Sequence, residues 1–293
     1  MSSSDVPTVE ARARTASADT PAESAAPWPR FAAAALVCGS AVALFGFRSH
    51  AVGWPLLAAG VLLAVVVTRG GDRALLRHLA VIAVALFGIS LVPLKADISN
   101  AGILRFALAL GTAVLLPYVM SRVFWREDVI RFPVRTGKGW GRFEWTYLAV
   151  VVALGYLVLP VYFIGSGVYT NWPTVVETGD IVRLFVGVNA VGLWDELFFV
   201  CTVFALLRQH FSFWQANLLQ ATVFVSFLWE LGYQSWGPLL TIPFAVLQGF
   251  IFYRTKSFLY VLVVHLSFDL IIFMILVHAH TPSLFDVFVT APR

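Results

Sequence analysis

The chain has 293 residues, of which 59% are hydrophobic and 12% charged, and its mean hydropathy is +0.83. That balance is far above a soluble globular domain and marks an integral membrane protein. The formal charge of +4 is small, and Cys38 and Cys201 both lie inside apolar runs, which excludes a disulfide framework or a paired-cysteine metal clip.

Residues 1–26 are dominated by Ser, Ala, Thr, Pro, Glu and Asp, with almost no large apolar side chains, and are expected to form a disordered cytoplasmic tail. The apolar run begins only near Trp28, behind this polar tail, so the first segment is expected to be a retained anchor and not a cleaved secretory signal. About 20 apolar residues cross the hydrocarbon layer. Runs of that kind place spans near 29–47, 51–68, 75–94, 102–121, 145–166, 182–207, 214–233, 237–253 and 258–279. Only Arg48, Ser49 and His50 separate the first two, which alternatively make one re-entrant hairpin. The fold expected is all-α, a polytopic membrane bundle of about eight to nine transmembrane helices.

Three parts follow from this layout. They are the tail 1–26, a set of N-terminal transmembrane helices over 27–181 with a basic cytoplasmic loop near 121–144, and a core over 182–280. Lys and Arg cluster on the side shared with the N-terminus, at Arg69, Arg73, Arg77, Arg208, Arg254, Lys256 and throughout the 121–144 loop. The other side receives fewer, among them Arg48, Lys95, Arg105 and Arg183. By the positive-inside rule the N-terminus is cytoplasmic and the C-terminus outside, in the cell membrane. Trp125, Phe132, Trp140 and Phe143 interleave with the basic residues of the long loop, a pattern that suits anionic headgroups and not a nucleic acid. The stretch 168–180, rich in Gly, Tyr, Asn, Trp and Pro, reads as a lid-like loop on the outer face.

Five ionisable residues lie inside apolar runs: Asp195 and Glu196 side by side, Glu230, and His265 with Asp269 four residues on. A carboxylate at the centre of a bilayer helix costs about 2.5 to 3.5 kcal/mol on insertion scales, so such groups face partners or a wet cavity. Counted from the cytoplasmic helix ends at 1.5 Å per residue, all five fall within one slab roughly 10 Å thick. His265 and Asp269 share a helix face, while Asp195 and Glu196 point about 100° apart. Carboxylates and an imidazole meeting there can activate a water and support a developing oxyanion. The same donors are a possible divalent-metal set, although no HExxH or Cys pair is present, and no cofactor is expected. The polar residues Asn189, Asn217, Gln220 and Gln248 are expected to be helix-to-helix contacts.

The runs DELFFV, WQANLLQATVFVSFLWE and LQGFIFYRTKSFLYVLVVHLSFD, over about residues 182–275, resemble the CPBP family, the CAAX-protease and bacteriocin-processing intramembrane proteases also called ABI proteins. The family pattern is EExxxR, then FxxxH, then HxxxN or HxxxD. Here His265 and Asp269 complete the third motif and Phe224 falls on the Phe of the second. Asp195 stands for the leading Glu, Val200 for the Arg, and Leu228 for the second-motif His. The resemblance implies Asp195 as base, Glu196 as a supporting group, and His265 and Asp269 on the oxyanion side. Because Leu228 stands at the second-motif His position, Glu196 or Glu230 is expected to take over the function of that His. The activity implied is that of an intramembrane endopeptidase acting on a peptide or a prenylated or lipid-embedded protein in the bilayer. A catalytically inactive adaptor or immunity-like peptide-binding protein is the alternative, followed by a proton-coupled transporter, for which no inverted repeat of broken segments is visible.

Overall fold

The computed structural model describes residues 26–71, 73–137, 139–285, 287, 288 and 290. The tail expected over 1–26 therefore lies outside the described residues except for Ala26, and no strand occurs among those described. The fold is an all-helical, polytopic bundle, as the apolar runs imply. Its long helices are α1 (Trp28–Ala41), α2 (His50–Val67), α3 (Ala74–Ser90), α4 (Asn100–Val119), α5 (Arg142–Gly165), α6 (Thr178–Asp195), α7 (Phe213–Leu231), α8 (Pro238–Thr255) and α9 (Phe258–His280). α6 does not stop at Asp195. It runs on through a wider-wound π stretch, Glu196–Phe204, and a last α turn, Ala205–Arg208.

Each expected span has a helix at its position, but six of the helical segments are both long and apolar enough to cross a membrane. These are Trp28–Gly46, His50–Val67, Asn100–Phe124, Arg142–Gly165, Thr178–Arg208 and Phe258–His280. α3 is a shorter apolar helix of 17 residues. α7 carries Asn217, Gln220 and Glu230, and α8 carries Gln248 and Arg254, which lower their hydropathy. Their amides are turned inward, where neighbouring helices satisfy them. Asn217 Nδ2 donates to Val246 O at 2.9 Å, and Gln220 Nε2 to Ala245 O at 2.8 Å. Gly249 permits this crossing, because a Cβ there would overlap Asn217 Oδ1.

Local signals set the helix ends. Ser212 opens α7 with its N–H donating to Gln215 Oε1, the N3 side chain reaching back as in a capping box. Ser257 opens α9 by accepting from Tyr260 N, and Ser99 opens α4 by accepting from Gly102 N. α7 ends at Gly232, whose φ of 136° is open only to glycine and whose missing Cβ leaves room for the Trp172 ring.

α1 and α2 form a tight hairpin, and α1 also lies on α7. α9 packs between α5 and α6, while α4 leans on α6 and α8 on α7. Loop contacts sort the helix ends into two sets. Ala26 bonds Gln215, Arg77 pairs with Glu127, and Phe258 N bonds Pro133 O at one end. Asn171 bonds Gly232, Thr281 bonds Val175, and Arg183 bonds Ile98 at the other.

Candidate active site

The chemistry-bearing residues gather where α6, α8 and α9 meet. Asp195 and Glu196 sit at the junction between the α stretch of α6 and its π stretch, while His265 and Asp269 come one turn apart from α9. A π insertion changes which side of a helix the following residues face and is frequent at functional sites. Here it falls on the two adjacent carboxylates. Thr202 Oγ1 donates to Leu197 O at 2.8 Å within the widened turns.

His265 Nδ1 lies 2.7 Å from Glu196 Oε1, and the same oxygen accepts from Gln248 Nε2 at 2.6 Å. His265 Nδ1 and Gln248 Nε2 thus share Glu196 Oε1, and Nε2 of His265 is the ring nitrogen aimed at the remaining acids. Nε2 stands 3.7 Å from Asp195 Oδ2 and 3.9 Å from Asp269 Oδ1. Both distances exceed a direct hydrogen bond and suit bridging by one water. Asp195, Glu196, His265, Asp269 and Gln248 are all buried. Asp195 Oδ1, Glu196 Oε2, Asp269 Oδ2 and Gln248 Oε1 have no hydrogen-bond partner in the structure. Buried polar atoms are rarely left without a partner, and ordered water commonly serves as one. No group of three or more His, Cys, Asp or Glu among the described residues is disposed to hold a metal ion.

Space is provided on two sides. Asp195 and Asp269 line a cavity of about 260 Å³ that runs between α4 and α6 toward Ala96, Trp172 and Arg183. His265 and Asp269 line a second, of about 340 Å³, between α5 and α8. Leu228, Tyr233, Asp269 and Ile272 border both. Gly192 keeps the backbone of α6 close to α9, since a Cβ there would overlap Asp269 Oδ2. Phe244 meets the His265 ring edge-on, with centroids 4.9 Å apart, and fixes its plane.

Of the four acids and one imidazole expected to share one site, three acids and the imidazole are together. Glu230 is turned to the end of the bundle, where Oε1 accepts from Leu94 N at 3.4 Å and lies 3.6 Å from Arg48 Nε. Depth along the helix is similar, but the side chain leaves α7 in another direction, toward the α1–α2 and α3–α4 links. Glu230→Gln is expected to leave hydrolysis within about threefold while lowering thermal stability, as interhelical polar contacts contribute about 0.6 to 2 kcal/mol. Rate and melting temperature measured on one preparation decide this, and a tenfold rate loss at unchanged melting would return Glu230 to the chemistry.

Gln248 is a helix-to-helix contact, as expected alongside Asn217 and Gln220, but the partner it meets was not foreseen. It joins α8 to Glu196 on α6 and donates also to Val261 O on α9 at 3.2 Å. Nothing in its neighbourhood along the chain separates it from the other amides. Asn189 turns back to Phe185 O in its own helix.

Residues 177–271 match the family described as type II CAAX prenyl endopeptidase Rce1-like. This segment is an Rce1-like domain. No curated protein and no solved structure matches the chain. The Rce1-like domain holds all four clustered residues and Gln248, and the match reaches from the turn before α6 to Ile271 within α9. The match likens this segment to the CAAX-type intramembrane proteases. Leu228, at the second-motif His position, borders both cavities beside Asp269, and Val200, at the first-motif Arg position, is fully buried.

Proposed function

We propose that the chain is an intramembrane endopeptidase of the CAAX-protease type, hydrolysing a peptide bond by carboxylate-activated water. One observation carries the reading: Asp195 and Asp269 flank His265 Nε2 at water-bridging distance and border a cavity with unpartnered oxygens. Asp195 takes a proton from water as its oxygen adds to the peptide carbonyl. The imidazolium form of His265 donates from Nε2 to the resulting oxyanion, held in place by Glu196 at Nδ1 and balanced by Asp269. When the tetrahedral centre collapses, the C–N bond breaks and the proton on Asp195 passes to the leaving amine.

The α5–α8 cavity supports a membrane-borne substrate. Leu154, Leu239 and Leu247 line it and are themselves exposed, on helix faces that meet lipid. A prenyl or other lipid tail fits this apolar opening, with the attached backbone reaching Asp269. In this reading 182–280 is the catalytic core and 27–181 its scaffold, with the N-terminus cytoplasmic and the C-terminus outside. The decisive assay is cleavage of an S-farnesyl-cysteine peptide by purified protein in nanodiscs, with products identified by mass. Cleavage at one bond is expected. Binding of the peptide without any cleavage would leave a peptide-binding adaptor.

A further inference from the structure

The α4–α6 cavity holds a feature that water activation does not use. Arg183 lines it at the end away from Asp195. Its Nη1 donates to Ile98 O at 3.1 Å and Asn100 Oδ1 at 2.6 Å, both neutral acceptors. Among the described residues no carboxylate pairs with it. Asp97, which lines the same cavity, is engaged by Arg105 at 3.1 Å and by Ser99 N at 3.0 Å. The cleft thus runs from a guanidinium at its mouth to Asp195 and Asp269 at its base. Gly187 and Gly192 keep the α6 wall free of side-chain bulk.

We propose that this cleft takes the peptide on the leaving side of the scissile bond and that Arg183 recognises a carboxylate on it, such as a free C-terminus. The twelve-residue step from Arg183 to Asp195 spans roughly 18 Å of helix. An extended peptide covers that distance in about five residues at ~3.4 Å each. Guanidinium is suited to this task because its planar fork grips a carboxylate through two parallel hydrogen bonds. The neutral partners it now has can be exchanged without breaking an ion pair. The apolar α5–α8 opening on the far side of Asp269 then takes the lipid-bearing portion, so the two cavities divide the substrate at the reacting bond. Only the term "leaving side" rests on the hydrolytic reading; recognition of a carboxylate does not.

The test uses full-length protein in nanodiscs carrying Asp195→Asn, which stops turnover. The probes are dye-labelled S-farnesyl-cysteine peptides extended by two to six apolar residues, each as free acid and as carboxamide. The acid is expected to bind about tenfold to a hundredfold more tightly than the amide, with the largest preference near five residues. Arg183→Gln should abolish the preference while leaving amide affinity unchanged, and Arg183→Lys should keep part of it. Lys95→Gln should keep it all, since Lys95 lines the outer vestibule and not the cleft. Equal binding of acid and amide, a preference that survives Arg183→Gln, or no binding of either would overturn the proposal. An acid preference in a protein that, with Asp195 intact, cleaves nothing would sink the hydrolytic reading and leave Arg183 as a carboxylate-recognition residue.

Discussion

On the proposed function, Asp195→Asn is expected to lower turnover of a prenylated peptide by about a thousandfold, within the range of about 10² to 10⁴ for general-base catalysis, and to leave peptide affinity close to that of the unchanged protein. The substitution keeps the size and polarity of the side chain but removes its capacity to accept a proton. Asp195 hydrogen-bonds nothing in the structure through Oδ1, so no packing contact at that atom is lost. Its neighbour gives a different outcome. Glu196 is held by His265 and Gln248 and orients the ring, so Glu196→Gln swaps an acceptor for a group that can also present N–H to two donors. Its damage is expected in both melting temperature and turnover. Comparing kcat, Kd and melting temperature for the two variants separates a reacting carboxylate from a supporting one. A loss at Asp195→Asn of less than tenfold would assign the base elsewhere.

Gly192→Ala is expected to remove most of the proposed activity, by about a hundredfold, without a matching loss of stability. Alanine is the better helix former by about 0.8 to 1 kcal/mol in an exposed helix interior, so α6 itself tolerates the change. The added methyl, however, overlaps Asp269 Oδ2 and comes within 3.3 Å of His265 Cδ2. Asp269 must swing aside, and with it goes the acid beyond Nε2. A double-mutant cycle tests this cause. In a chain already carrying Asp269→Ala the overlap is absent, and Gly192→Ala should then cost almost nothing further. Equal losses in both backgrounds would place the effect of Gly192 somewhere other than this contact.

What the order of residues determined by itself was the class of molecule and most of the buried ionisable groups that come together in it. Long apolar runs in a bilayer can satisfy their backbone only as helices, so an all-helical polytopic bundle follows from composition and run length. Ionised side chains are costly in that medium and persist where they have partners, which singled out Asp195, Glu196, His265 and Asp269. The i, i+4 spacing of the last two fixed their common face.

What only the tertiary structure decided was direction around each helix. Glu230 passes every test of depth and chemistry, yet it faces Arg48 and Leu94. Gln248 is the helix-to-helix contact its type implies, but only the packing shows that its partner is Glu196. The π stretch from Glu196 alters the regular 3.6-residue periodicity on which a facing argument depends, and nothing in the run DELFFV announces it. The two cavities, and the cation at the mouth of one, come from the packing of helices far apart in sequence. Hydropathy measures how deep a residue can lie; which neighbour it meets there is set by how the helices cross, and that is a property of the whole bundle.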